Sequence, residues 1–223
     1  MDEEVTSDGR AARRDRNKIA VLDAVIERFS EGHFDADPEA VALRCGLSPR
    51  SVYRYFEDRD ELLRAAIARH LERVWPLFVI HAIGEGELDD RIDRFVGARV
   101  RLYEAIAATS RAARSRAADN AIIRDQVDLT RRLLREQVER HFAPELHRLG
   151  PRRRRAVSTA VDDLCQLESL DYYRLHRGYS TSTTRRALID ALQLLLAARE
   201  PIAATTEPVT TDVRANSRSR STA

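Results

Sequence analysis

Apolar positions recur at helical spacing along almost the whole chain. Between Arg14 and Ser30, Ile19, Leu22, Ile26 and Phe29 follow one another three, four and three residues apart, the stripe of a helix with one buried face, and Gly32 ends it. Asp37 and Ser48 each stand directly before a proline, Pro38 and Pro49. A capping oxygen followed by a residue whose φ is already helical is a start signal. Two short helices are therefore expected, one to about Cys45 and one through Phe56, separated by a turn at Gly46. Asp58 and Glu61 have the spacing of a capping box, and Leu62, Leu63, Ala66, Ile67, Leu71 and Val74 carry a long helix onward until Pro76 kinks or ends it. Further helical patterns run over Leu88–Arg116, Asn120–Phe142, Pro151–Arg177 and Ser180–Arg199. The predicted class is all-α.

Composition supports this and narrows it. With 223 residues, 43% of them hydrophobic, the chain can bury a core in one domain or a small pair, and 8 Gly and 7 Pro are few punctuators for a turn-rich β fold. A net charge of +2, from 38 basic and 36 acidic residues, excludes a uniformly basic nucleic-acid coat, so charge has to be read by position. Cys45 and Cys165 are too few for a disulfide framework and suit a reducing compartment as small buried side chains. The opening MDEEVTSDGR lacks a basic and apolar leader, and the Val74–Ile83 stretch falls short of the roughly twenty apolar residues a bilayer requires. A cytoplasmic protein without membrane contact is expected. The histidines are scattered, and His141 and His147, six apart, lack the i, i+4 spacing that aims two imidazoles at one metal from a single helix. Without a nucleophile motif or phosphate-cradling loop either, no metal, cofactor or catalytic residue is expected.

The divisions that follow are a flexible basic arm over 1–13, a three-helix unit over 14–57, a larger helical domain over 58–200, and a disordered tail over 201–223, rich in Thr, Ser, Ala and Arg. The three-helix unit carries the informative spacing. Ala42 lies four residues before Gly46 and Val52 six after it, the pattern of a helix-turn-helix: a small side chain where two helices cross closely, and a residue tolerant of positive φ in the turn. With Val41, Leu47, Val52 and Phe56 inward, Arg50, Tyr53 and Arg54 are left outward, two guanidinium forks and a phenol for base edges and phosphates. An ordinary helical corner is the plain alternative. Between Arg10 and Lys18 five cations face the single carboxylate of Asp15, a cluster suited to phosphates or a minor groove.

These residues resemble the TetR/AcrR family of transcriptional regulators. The stretch from Val41 to Leu63 looks like that family's signature, including Tyr53-Arg-Tyr55-Phe56 and the Leu62-Leu63 pair that begins its fourth helix. The resemblance implies an amino-terminal helix-turn-helix domain, a larger helical domain for ligand binding and dimerisation, and Tyr53 and Tyr55 near the DNA backbone. It also implies that Arg59, where the family usually has Lys, binds a phosphate from a helix amino terminus. Asp37, where Thr is frequent, and Cys45, where Ala is frequent, depart from the pattern. The expected DNA-contacting set is Lys18, Ser48, Pro49, Arg50, Ser51, Tyr53, Arg54, Tyr55 and Arg59.

The family further implies a dimer formed by the last two helices, for which the apolar faces of Val157, Val161 and Leu164 and of Leu188, Leu192 and Leu195 independently provide. Candidate lining for its small-molecule pocket comprises Trp75, Phe78, Phe95, Arg99, Tyr103, Gln126, Gln166 and Tyr172; Phe95, Arg99 and Tyr103 share one helical face. The expectation is a homodimeric repressor, rather than an activator, that leaves a near-palindromic duplex operator when an effector binds. An all-α enzyme and a helical protein-interaction module are the alternatives, and neither requires the Arg-Tyr face.

Overall fold

The computed structural model describes residues 2–33 and 36–197, which form ten α-helices and one π-helical turn with no strand among them. They are α1 (Asp2–Ser30), α2 (Pro38–Cys45), α3 (Pro49–Tyr55), α4 (Arg59–Phe78), α5 (Leu88–Arg116), α6 (Ala121–His141), α7 (Ala143–Leu146), α8 (Pro151–Cys165), α9 (Leu167–Asp171) and α10 (Thr181–Leu196), with the π turn at Tyr172–His176. The proposed tail over 201–223 lies outside the described residues.

The cap signals act as their chemistry requires. Asp37 accepts from the Glu39 amide at 3.2 Å, Ser48 from the Ser51 amide at 3.2 Å, and Asp58 from the Glu61 amide at 2.7 Å, while the Glu61 carboxylate accepts from the Glu57 amide at 2.5 Å. Gly46 sits at φ 65°, and the following Leu47 amide donates to the Ala42 carbonyl at 2.9 Å. A β-carbon there would meet nothing within 4 Å, so only the left-handed backbone demands glycine. The helix α4 passes Pro76 and ends at Phe78.

Three sequence expectations are corrected. The segment 1–13, expected as a flexible arm, is helical from Asp2 onward: up to Ser30 the sequence holds no proline and a single glycine, and Ala11 and Ala12 are strong helix formers. Ile19 is 43% exposed, because the buried stripe of α1 runs through Val21, Leu22, Val25, Ile26 and Phe29 instead. The helix expected over Pro151–Arg177 breaks at Gln166, whose ψ of 154° is extended. Local side chains satisfy the break: Gln166 donates to Asp162, and the Ser169 hydroxyl donates to the Asp163 carbonyl, each at 2.5 Å.

Two hydrophobic cores result. The amino-terminal one joins Val25, Phe29, Val41, Ala42, Val52 and Phe56 to Leu62, Leu63 and Ala66 of α4, and it takes in Ala112 of α5 and Ile123 of α6. The larger one gathers Phe95, Leu102, Leu134, Val138, Phe142, Leu170, Leu188 and Leu192. Val157 and Val161, with Leu188 and Leu192, were expected at a dimer interface. They are buried within the single chain, because α10 lies against both α5 and α8 and its inward stripe is spent on that core. At the far end of α5, Arg91 is held in a two-pronged ion pair by Glu145 at 2.5 and 2.8 Å and also donates to the carbonyls of His141 and Gly86. The His141 ring accepts from the Gly84 amide and lies 2.9 Å from the Arg91 carbonyl, which makes its Nε2 the donor and the ring neutral.

Candidate functional site

The helix α3 rests on α1 and α2 through Val52 and Phe56, 1% and 3% exposed, and this fixes which side chains its outer face presents. Arg50, Tyr53 and Arg54 are exposed there. Ser48, Pro49 and Ser51 form the start of the helix: Ser48 is the cap, Pro49 the first helical residue, and the Ser48 and Ser51 hydroxyls lie 2.9 Å apart. The face therefore begins with two hydroxyls and continues with two guanidiniums, a surface able to hold anions and read donor and acceptor patterns.

Tyr55 stands differently from Tyr53. Its ring is 7% exposed and belongs to the amino-terminal core; only the hydroxyl reaches the edge, accepting from Asn17 at 3.3 Å and Arg54 at 3.2 Å. Those two bonds, Asn17 first, pull its pKa below the ordinary phenol value. Lys18 places its ammonium 5.3 Å from the Phe56 ring centre, and Arg54 lies 5.3 Å over the Tyr55 ring. Arg59 is 3.4 Å from Asp37, so the carboxylate that departs from the family pattern serves as both cap and counter-ion. Cys45 donates its thiol to the Ala20 carbonyl at 3.3 Å, and burial raises its pKa.

One feature of the surface escaped the sequence reading. Arg13, Arg14 and Asn17 of α1 line one depression with Leu47, Ser51, Arg54 and Tyr55, so the basic run lies beside α3. The signal was the spacing of 10, 13, 14 and 17 on a helix assumed to start later.

Beside this unit, α4, α5, α6 and α9 line a largely apolar, partly open cavity of about 100 Å³. Phe29 of α1 also lines it, as do Ile67, His70, Leu71, Val74 and Phe78 of α4. Of the eight sequence candidates, Phe78, Gln126 and Gln166 are in the lining. Trp75 and Tyr172 are each 51% exposed and point elsewhere, although Trp75 stacks on Phe78 at 6.0 Å. Phe95 is core, and Arg99 lies over it while donating to Gln137 at 2.5 Å and to the Leu134 carbonyl at 2.7 Å. Tyr103 is core as well; its hydroxyl donates to Asp171, and burial with that bond raises its pKa to about 12. Burial lowers the pKa of His70, keeping it neutral at pH 7. Among the described residues no three His, Cys, Asp or Glu side chains are grouped to hold a metal, and no helix is long and apolar enough to cross a membrane.

An exposed, arginine-bearing second helix, set on its partner by a left-handed glycine turn, defines a helix-turn-helix DNA-binding module. Residues 21–66 match the family model of the bacterial regulatory proteins, tetR family, so the chain carries the amino-terminal domain of that family. It is 33% identical over 90 residues to the HTH-type transcriptional repressor KstR of Mycolicibacterium smegmatis, a match covering 40% of this chain. The chain spans 44% of the length of that relative. The whole fold is similar to a tetR-family transcriptional regulator from Streptomyces coelicolor, with 19% identity, TM-score 0.64, and coverage of 82% of this chain and 81% of that one. A transcriptional regulator from Rhodococcus sp. Rha1 is similar at 16% identity and TM-score 0.63, covering 81% and 96% of the two chains.

Proposed function

We propose that the chain is a cytoplasmic homodimeric repressor that holds a near-palindromic operator through α3 and leaves it when a small molecule enters the cavity. The carrying observation is the division of α3 into a buried face of Val52 and Phe56 and an exposed face of Arg50, Tyr53 and Arg54. An ordinary helical corner has no need of two exposed guanidiniums, Arg50 in the first turn and Arg54 in the last, on a seven-residue helix. Arg50 is the base-reading group, since recognition helices enter the major groove by their amino-terminal end. Ser48, Ser51, Tyr53, Arg54, Lys18 and Arg59 hold phosphates, with the Tyr55 hydroxyl steering Arg54.

Dimerisation rests on what the monomer leaves open. Ala187, Ala191 and Leu195 of α10 and Ala160 and Leu164 of α8 are half-buried, and Leu194 is 77% exposed. These are small and branched apolar residues at spacings of about four, the stripe of a helix awaiting a partner. Two copies joined there place two α3 helices for successive major grooves, which explains a palindromic site. The release mechanism draws on the cavity's position. Phe29 of α1 and Ile67 of α4, which packs against the amino-terminal core, line it, while Asp23 of α1 takes a two-pronged bond from Arg69 at 2.7 and 2.9 Å and a further one from Arg73 of α4 at 3.1 Å. A ligand that fits only with the wall displaced thus moves α1 and α4 together, and linkage requires that DNA weaken its binding equally.

Selecting duplex DNA with the purified chain and measuring its binding to the enriched sequence tests the reading. A near-palindrome bound by two chains is expected. Equal binding to every duplex, or none, would favour the helical adaptor or enzyme alternative.

A further inference from the structure

The lining of the cavity selects the chemistry of its occupant, an inference that rests on the effector role given to it above. Its flanks are aliphatic, with Leu71 and Val74 of α4, Ile106 of α5, and Ile123 and Val127 of α6. One end is charged. There Arg114 of α5 and Arg131 of α6 approach Glu168 of α9, at 3.8 and 2.7 Å, so the lining carries two guanidiniums to one carboxylate. Arg114 also donates to the Ser110 hydroxyl and pairs with Asp171, and Arg131 lies 3.5 Å from Asp128.

Behind the wall stands another cation. Arg99 is 2% exposed, and among the described residues no carboxylate lies within ion-pair distance of it. It is satisfied by the amide oxygen of Gln137 and the carbonyl of Leu134, whose side chain is part of the lining. Burial draws its pKa down to about 10, which leaves it charged at neutral pH, with Asp162 acting only from a distance. A buried cation without an adjacent counter-charge raises the potential across the wall beside it. His70 on α4 adds no charge, being neutral.

We propose that this cavity takes an organic anion: an apolar body along the aliphatic flanks and a carboxylate at the Arg114–Arg131 end, where it shares the guanidiniums with Glu168. An ammonium group would meet two cations there, and an alcohol would forgo charge-assisted bonds. Size limits the body. A volume of about 100 Å³ holds the centres of roughly seven to ten waters, or about 200–300 Å³ of liquid, the low end for ligand sites. A medium-length chain fits this better than a bulky ring system.

Calorimetric titration of the purified full chain, without DNA, with octanoate, octanol and octylammonium provides the test. Octanoate should bind saturably and about tenfold more tightly than octanol, with octylammonium weakest. Arg131→Gln, at a side chain 45% exposed, should reduce octanoate to the level of octanol and leave octanol unchanged. Glu168→Gln should tighten octanoate by removing the competing carboxylate. Equal or tighter binding of octanol or octylammonium, no saturable octanoate binding, or an unchanged octanoate affinity in Arg131→Gln would overturn the anion site. Adding octanoate to the protein–operator complex is a separate readout: binding without release would refute the effector role and leave the anion site standing.

Discussion

Leu192 and Leu194 lie two residues apart on α10 and should respond to the same substitution in opposite ways. Leu192 is 0% exposed, in the core shared with α5 and α8, while Leu194 is 77% exposed. Removing the Leu192 side chain beyond its β-carbon alone costs about 2–5 kcal/mol, and glutamate adds the several kcal/mol of placing a carboxyl among apolar groups. Against a total stability of about 5–15 kcal/mol, Leu192→Glu should leave the chain largely unfolded. At Leu194 the cost to the fold is about 0.5 kcal/mol or less, so Leu194→Glu should melt within a few degrees of the parent. If the open face of α10 pairs with its copy, however, a charge there faces its own image across the two-fold axis, and the variant should sediment as a folded monomer. Thermal unfolding and sedimentation velocity on both variants decide it. A folded monomer from Leu192→Glu, or an intact dimer from Leu194→Glu, would refute the division between core and interface drawn here.

Arg50→Ala should cost about 1–3 kcal/mol on the selected operator and relax preference at one base pair, as read by binding to a panel of single-base variants. Tyr53→Phe should weaken all of those duplexes about equally, because a phosphate contact carries no sequence information. Glu145→Ala, which strands the buried Arg91 guanidinium, should cost about 3–5 kcal/mol by denaturant titration, and pairing it with Arg91→Met should recover part of the loss. Acidification is expected to destabilise the fold below about pH 6.5, because burial lowers the His141 pKa, so the unfolded chain takes up a proton that the folded one resists. His141→Gln should flatten that slope; an unaltered pH profile would assign the effect to other groups.

How far the sequence carried this structure depended on the distance over which each feature is determined. Caps and turns are local, so Asp37, Ser48, Asp58 and Gly46 could be placed before any coordinates, and with them the outward set Arg50, Tyr53 and Arg54. The inward Tyr55 was harder, since its place depends on Asn17, 38 residues away. The cavity was least legible. On α4 the lining residues Ile67, His70, Leu71, Val74 and Phe78 share one face, which Trp75 adjoins but does not join. On α5 the spacing puts Phe95, Arg99 and Tyr103 on one face, yet Phe95 and Tyr103 pack as core with Arg99 buried beside them; the cavity opens beside later turns, at Ile106, Thr109, Ser110 and Ala113. Which turn of a buried stripe meets a void depends on helices far off in sequence, and periodicity holds no record of that. Of the expected dimer face, Val157, Val161, Leu188 and Leu192 are core while Leu164 and Leu195 stay half-buried, because α10 is apolar on more than one side and its packing against α5 decides which side is spent.

The central claim is that the outer face of α3, with the adjoining basic turn of α1, holds duplex DNA. Its most direct test is the affinity of the purified chain for its selected operator as a function of salt. Two copies of Arg13, Arg14, Lys18, Arg54 and Arg59 neutralising about ten phosphates give an expected slope of about −9 in log K against log salt. Arg54→Ala should make that slope shallower by about two, one phosphate from each copy. A chain that binds no duplex at low salt, or whose slope and affinity are untouched by Arg54→Ala and Arg50→Ala together, would contradict the account.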